Sequence, residues 1–247
     1  MLIPQQRQAL FVSGYIMRAL LTVFGLLNWT LSFGQNCFCD KNTMLKEIIN
    51  CDKIKFDNKS SLYWSFNCDS SWLTFESPTH QKDIIFSLGD GLQELTGRLG
   101  YIYATEYRHT FLIQCNVISG CCTPPDFYLF DKTTGQIKDS LGTIIFYSAD
   151  KKLPFVLSIK YSKTDVNNFN FISIHNIDKS KTFLLKLPKG EIEKALKKTE
   201  EIYPEYLFDK PILKGTTIYL TYLLDRPKNE KVRHTKTIII DLKKYSR

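Results

Sequence analysis

Histidine is scarce in this chain, four in 247 residues, and the four stand far apart at His80, His109, His175 and His234. None forms the close pair that a zinc finger or an H-E-x-x-H metalloprotease needs. Glycine is also thin, at 12 residues. No G-x-S-x-G elbow, P-loop or G-x-G-x-x-G fingerprint occurs, so the common motif-borne hydrolase and nucleotide chemistries have no foothold. Gly89-Asp90-Gly91 lacks the further glycine and the lysine of a phosphate cradle, and reads as a turn. Low-complexity tracts and long-period repeats are missing, which argues against disordered or solenoid architectures. No cysteine follows Cys122.

What is present belongs to a core-forming chain. Apolar residues make up 43% and charged residues only 23%, a balance that disfavours global disorder. The 17 Phe and 13 Tyr favour strands. From Met17 the chain runs "MRALLTVFGLLNWTLSFGQ": one basic residue, an apolar stretch, then Ser32-Phe33-Gly34. That order predicts a signal peptide over 1–34, cut between Gly34 and Gln35, with Met17 as an alternative true start. The apolar run is long enough to approach a membrane span, but no basic stop-transfer cluster follows it. Asn36 before Cys37 disfavours a lipoprotein signal. The mature chain is therefore expected to be periplasmic or extracellular, with no transmembrane span.

Export suits the cysteines. Cys37, Cys39, Cys51, Cys68, Cys115, Cys121 and Cys122 all follow the expected cleavage site. In an oxidising compartment they are disulfide candidates, and their odd number leaves one thiol unpaired or paired between molecules. Cys51 and Cys68 would close a loop of modest length, and Cys115 could reach Cys121 or Cys122 across Ser119-Gly120. The adjacent pair in "SGCCTPP" has three readings: two separate structural staples, a strained redox-active vicinal bridge, or a metal site. The double proline favours extended chain over the helix start that activates thioredoxin-type thiols. Cys37-Phe38-Cys39 supplies no second pair at zinc spacing. Structural staples are the favoured reading, with no metal and no cofactor.

Segments from Leu62 to Phe66, Trp72 to Phe75, Asp83 to Leu88, Tyr101 to Glu106 and Thr110 to Val117 read as strands. Asn42 to Cys51 reads as a short helix with Met44, Leu45, Ile48 and Ile49 on one side. Phe111, Ile113 and Cys115 alternate with polar neighbours, a pattern that Leu112 interrupts. "FYLFDKTTGQIKDSLG" predicts a hairpin, with Gly135 supplying a positive φ and Asp131 bonding its own backbone two residues on. These sixteen residues are similar to hairpins in the blades of β-propeller proteins. A complete propeller needs four or more four-stranded blades, for which the chain has little room. Further strands are expected at Phe155 to Tyr161, Phe169 to His175, Thr182 to Leu187, Thr216 to Leu224 and Thr235 to Leu242. Ile192, Ala195, Leu196, Thr199, Ile202 and Tyr203 follow a helical period that Pro204 stops.

The expected fold is mainly β: antiparallel sheets in meanders, sandwich-like or resembling a fragment of a propeller, with one or two short helices. Residues 35–247 form one β-rich domain, which charge divides into halves. Residues 35–150 hold 10 Lys+Arg and 14 Asp+Glu, whereas 151–247 hold 21 and 11. Such a split suggests an acidic protein or an envelope surface as partner, and export makes nucleic acid a poor one. The binding candidates are Lys194, Lys197 and Lys198 on the expected helix. Trp64 and Trp72 join them, from an aromatic cluster with Tyr63, Phe66 and Phe75 that otherwise reads as core. The function expected is that of an exported bacterial-envelope protein acting by binding, in an interaction, inhibitor or immunity-like role. The alternatives are an enzyme, either thiol-redox at Cys121-Cys122 or a hydrolase using Glu106, Asp126 and His109, and a structural surface component.

Overall fold

In the computed structural model, residues 43–89, 92–116, 123–160, 171–225 and 233–246 are described. The expected signal peptide over 1–34, Cys37, Cys39, Cys121, Cys122 and most of the Gly89–Gly91 turn lie outside them. No helix among the described residues is long and apolar enough to cross a membrane.

Alternating apolar residues, punctuated by turn chemistry, give fourteen strands among the described residues, paired antiparallel in three sheets. The first sheet holds β1 (Ile54–Lys55), β2 (Ser61–Phe66), β3 (Ser71–Glu76) and β4 (Lys82–Leu88). The second holds β5 (Tyr101–Glu106), β6 (Thr110–Cys115), β7 (Asp126–Asp131), β8 (Ile137–Tyr147), β9 (Phe155–Lys160), β10 (Phe171–Asn176) and β11 (Lys181–Lys186). The third holds β12 (Ile212–Lys214), β13 (Thr217–Asp225) and β14 (His234–Asp241). Every strand pairs with its neighbour in sequence, so each sheet is a meander.

The eleven-residue β8 is the hinge of this arrangement. Ile137 to Thr143 pair with β7, whereas Ile144 to Tyr147 pair with β9. The seven-stranded sheet is thus two four-stranded meanders handing over along one strand, with Gly142 at φ +64 beside the change of partner. The stretch 143–147 carries no turn signal of its own and is not among the strands expected from the sequence.

The sheets pack face to face in chain order. Phe56, Leu62, Leu73 and Phe75 of the first sheet meet Phe111, Ile113 and Phe130 of the second. On the other side of β6 and β7, Leu112, Phe127 and Leu129 join Val156 and Ile177 in a second cluster. The opposite side of β9 and β10 packs against β13, β14 and the helix between. Leu112 therefore does not break a pattern. A strand covered on both faces has no polar side, and β6 buries five of its six residues.

Three short helices complete the described chain: α1 (Thr43–Ile48), α2 (Thr96–Leu99) and α3 (Glu191–Thr199). In α1, Leu45 and the following Ile49 are buried against Phe66, one turn apart. Met44 and Ile48, expected on the same side, are 61% and 43% exposed, because so short a helix can cover its neighbour with one row only. α3 buries Ile192, Ala195 and Thr199 against β13, the apolar stripe that the sequence predicts. It ends earlier than expected. The Thr199 hydroxyl donates to the Ala195 carbonyl, and Glu200 turns left-handed at φ +61. Ile202 and Tyr203 thus lie past the helix, and Pro204 opens a separate 3-10 turn.

Candidate functional site

The chemistry of the described residues gathers in four places. The first is built by the Asp131–Gly135 turn, which forms as its sequence predicts. The Asp131 carboxylate accepts from the backbone N–H of Thr133 at 2.8 Å and of Thr134 at 3.0 Å. Gly135 sits at φ +70, and a Cβ placed there would lie 2.3 Å from the Phe75 ring. Glycine is thus required by backbone and by packing at once. The turn carries Lys132 inward, where it is 2% exposed. Its ammonium donates to Glu106 Oε1 at 2.7 Å and to Asp57 Oδ1 at 2.5 Å. Lys151 reaches Glu106 Oε2 at 2.6 Å. Glu106 Oε1 also accepts the Asp57 backbone N–H at 3.1 Å.

Four charges from the β1–β2, β7–β8 and β8–β9 turns and the end of β5 thus interlock, tying three meanders together. The hydrogen bond from Lys132 holds the Asp57 carboxyl down to about 2. Hydrogen bonding to Glu106 raises the Lys151 ammonium. The sequence reading missed this cluster. A lysine inside a polar turn looks solvated, and only the partner turns reveal its burial.

The same register disperses the hydrolase candidates. Glu106 pairs across to Phe111 and on to Phe130, whereas Asp126 pairs with Cys115 at the other end of the sheet. Four residues of strand separate the two levels, roughly 13 Å. His109 is exposed in the β5–β6 turn, and its carbonyl accepts the Lys132 N–H at 3.0 Å.

The second place is the outer face of α3. Lys194, Lys197 and Lys198 are all exposed. Lys198 lies 3.7 Å from Asp225, while Lys194 and Lys197 make no ion pair among the described residues. Beyond the helix, Ile202 is 77% and Tyr206 47% exposed. Tyr203 meets Tyr206 edge-on at 5.9 Å, and its hydroxyl lies 3.4 Å from that of Thr123.

The third place is a cavity of about 310 Å³ between α1, the first sheet and β5. Trp64 lines it and packs edge-on to Phe86 at 6.0 Å, which is itself stacked on Tyr101 at 4.2 Å. Burial pushes the Tyr101 phenol up to about 12 and raises Tyr103 as well. Trp72, the other tryptophan candidate, pairs with Ser65, one residue along from the Trp64–Leu73 pair, and so takes the opposite face of the sheet. The aromatic cluster is divided as strand alternation requires.

The fourth place is a smaller cavity of about 180 Å³ beside His175. The His175 ring lies 3.0 Å from the Ser158 hydroxyl and 3.1 Å from that of Thr182. Burial lowers its pKa.

Among the cysteines, Cys51 and Cys68 are disulfide-bonded. Cys115 is buried at the end of β6. No cluster of histidine, cysteine and acidic side chains suited to a metal ion occurs among the described residues. Compared with known proteins, the chain matches no family model and no curated protein.

Proposed function

We propose that the protein is exported and acts in the envelope by binding an acidic protein through the outer face of α3, in an interaction or inhibitor-like role. The observation that carries this reading is that Lys194 and Lys197 are exposed, without an ion pair among the described residues, on the helix that leads into the exposed Ile202 and Tyr206. Lysines that only solvate a helix need no apolar company. An interface combines an apolar or aromatic anchor with a polar rim, and tyrosine is among the residues that most often anchor binding. The basic half of the chain supplies a field of matching sign. Single exposed charges are screened over ~8 Å at physiological salt, but a lobe-sized patch still steers association.

Disulfides at Cys51 and Cys68 favour an oxidising compartment, in keeping with the signal-like start of the chain. Their partners are taken to lie among the other cysteines of 37–122. Non-reducing peptide mapping of exported protein tests that assignment, and seven alkylatable thiols would refute it.

The binding reading is tested by reversing Lys194, Lys197 and Lys198 to Glu. Envelope proteins retained by the immobilised chain should associate more slowly with the variant, and the salt dependence should flatten. The thermal midpoint should stay put, because exposed substitutions cost little. Retention indifferent both to salt and to the triple reversal would refute the proposal.

A further inference from the structure

The cavity beside Trp64 restricts what could fill it. At about 310 Å³ it reaches the lower end of the range seen for small-molecule sites. Its walls are Ile49, Leu62, Leu73 and Trp64, with Tyr63, Tyr101 and Tyr103, an apolar surface edged by aromatic rings. The polar groups at its border are few. Thr96 is already engaged with the Ser71 hydroxyl at 2.7 Å, and the Asn50 side-chain oxygen accepts from the Asp52 backbone N–H at 2.9 Å. Among the described residues, no lysine, arginine or histidine lines the space.

Asp52 does line it, is exposed, and makes no ion pair among the described residues. Its neighbour Lys53 is turned away to Glu76 at 2.7 Å, with the ammonium 4.4 Å from the Tyr63 ring centre. Burial raises the Tyr101 and Tyr103 phenols, so neither adds a charge, and the one acidic or basic side chain on the described lining is Asp52.

We infer that this cavity binds a small organic cation with an apolar or aromatic body: the body against Trp64, Leu62 and Tyr101, the cationic head at Asp52. The chemistry excludes the opposite choice. An anion would meet the Asp52 carboxylate and π faces that repel negative charge, and the Lys53 ammonium over the Tyr63 ring is already paired with Glu76, whereas the same faces attract a positive head. The site is independent of the α3 face, and either could fail alone.

Benzylammonium, benzyl alcohol and benzoate share one ring and differ in head charge, so they separate body from head. Titrated into the full chain by calorimetry, with the Trp64 indole resonance followed by NMR, benzylammonium should bind at least tenfold tighter than benzoate, with benzyl alcohol between. Asp52→Asn should bring benzylammonium to the level of the alcohol and leave the alcohol unchanged. Trp64→Phe should weaken both ligands about equally. An unchanged thermal midpoint in each variant shows that the fold is intact. Three outcomes would overturn the inference: benzoate binding as well as the amine, an Asp52→Asn variant that keeps the preference, or no binding of any probe at millimolar concentration.

Discussion

The front and back of this molecule are held together by different means. Around β2, β3, β6 and β7 the core is a stack of rings. Phe111 lies 4.8 Å from Phe56 and 5.3 Å from Phe130, with Phe75 at 5.9 Å, all near parallel. Around β9, β10, β13 and α3 it is mostly aliphatic, with Leu157, Ile159, Ile172, Ile174, Ile218 and Leu220 all buried beside Phe155 and Tyr222. Rings depend on orientation, and the front has a geometric clamp to match: Gly135 pressed on Phe75 and Lys132 locked by two carboxylates. Aliphatic side chains interdigitate with less demand on angle. The back instead relies on a helix laid over a sheet, and its lysines remain available on the outside. The acidic half thus buries the Lys132 clamp, whereas the basic half carries Lys194, Lys197 and Lys198 on its outside.

The contrast is sharpest in the cores. Phe111→Ala should cost about 4 kcal/mol in denaturant unfolding, because it removes the centre of the ring stack. Leu220→Ala in the back should cost about 3 kcal/mol. Equal losses, or a second unfolding transition in either variant, would break the picture of two cores sharing one cooperative stack.

Removing the clamp comes next. Lys132→Met leaves Glu106 buried beside a methionine and should cost about 3 kcal/mol. The double variant Lys132→Met with Glu106→Leu should be more stable than the single one, since it leaves no buried carboxylate held by the half-exposed Lys151 alone. A double variant as unstable as the single would show that Lys132 serves mainly through packing.

Gly135→Ala should cost about 2 kcal/mol by thermal or urea unfolding, from the contact with Phe75 and the left-handed backbone together. The same change at Gly142 also sits at positive φ, but nothing lies within 4 Å of its Cβ position, so it should cost less. Matching losses would assign the whole effect to φ.

The smallest effect is on acid stability. The folded Asp57 pKa, held near 2 by Lys132, lies below its ordinary value of 3.8. The unfolded chain therefore takes up the proton first. The contribution is complete above about pH 4 and disappears as pH falls through about 2. With half of the side chain in water, it should amount to about 1 kcal/mol at most. Comparing pH-dependent unfolding of the protein and of Asp57→Asn isolates it, because Glu76 is shifted the same way and contributes equally to both. An identical pH profile in the two proteins would remove Asp57 from the clamp.

Much of the fold was legible because its signals are local. The hairpin at 126–142 rests on Asp131 and Gly135, whose chemistry works within five residues. The stripe Ile192, Ala195 and Thr199 likewise declares a helix covered on one side. The misreadings share one cause. Leu112 looked irregular because a second face was covered by strands far along the chain. Ile202 and Tyr203 looked helical because periodicity does not show that Glu200 turns left-handed. The two-residue β1 and three-residue β12 are too short to show a period at all.

For the candidate sites the limit is the same. Sequence alone determined a mainly β meander chain, the charge asymmetry and the exposed lysines of α3, because strand alternation, turn residues and helical period act over a few residues. Only the tertiary structure decided that Lys132 is buried while Lys194 is not, and that Asp52 borders the cavity lined by Trp64. Those placements depend on which turns and faces meet across the sheets, and side chains that meet only on folding carry no mark of it in the chain itself.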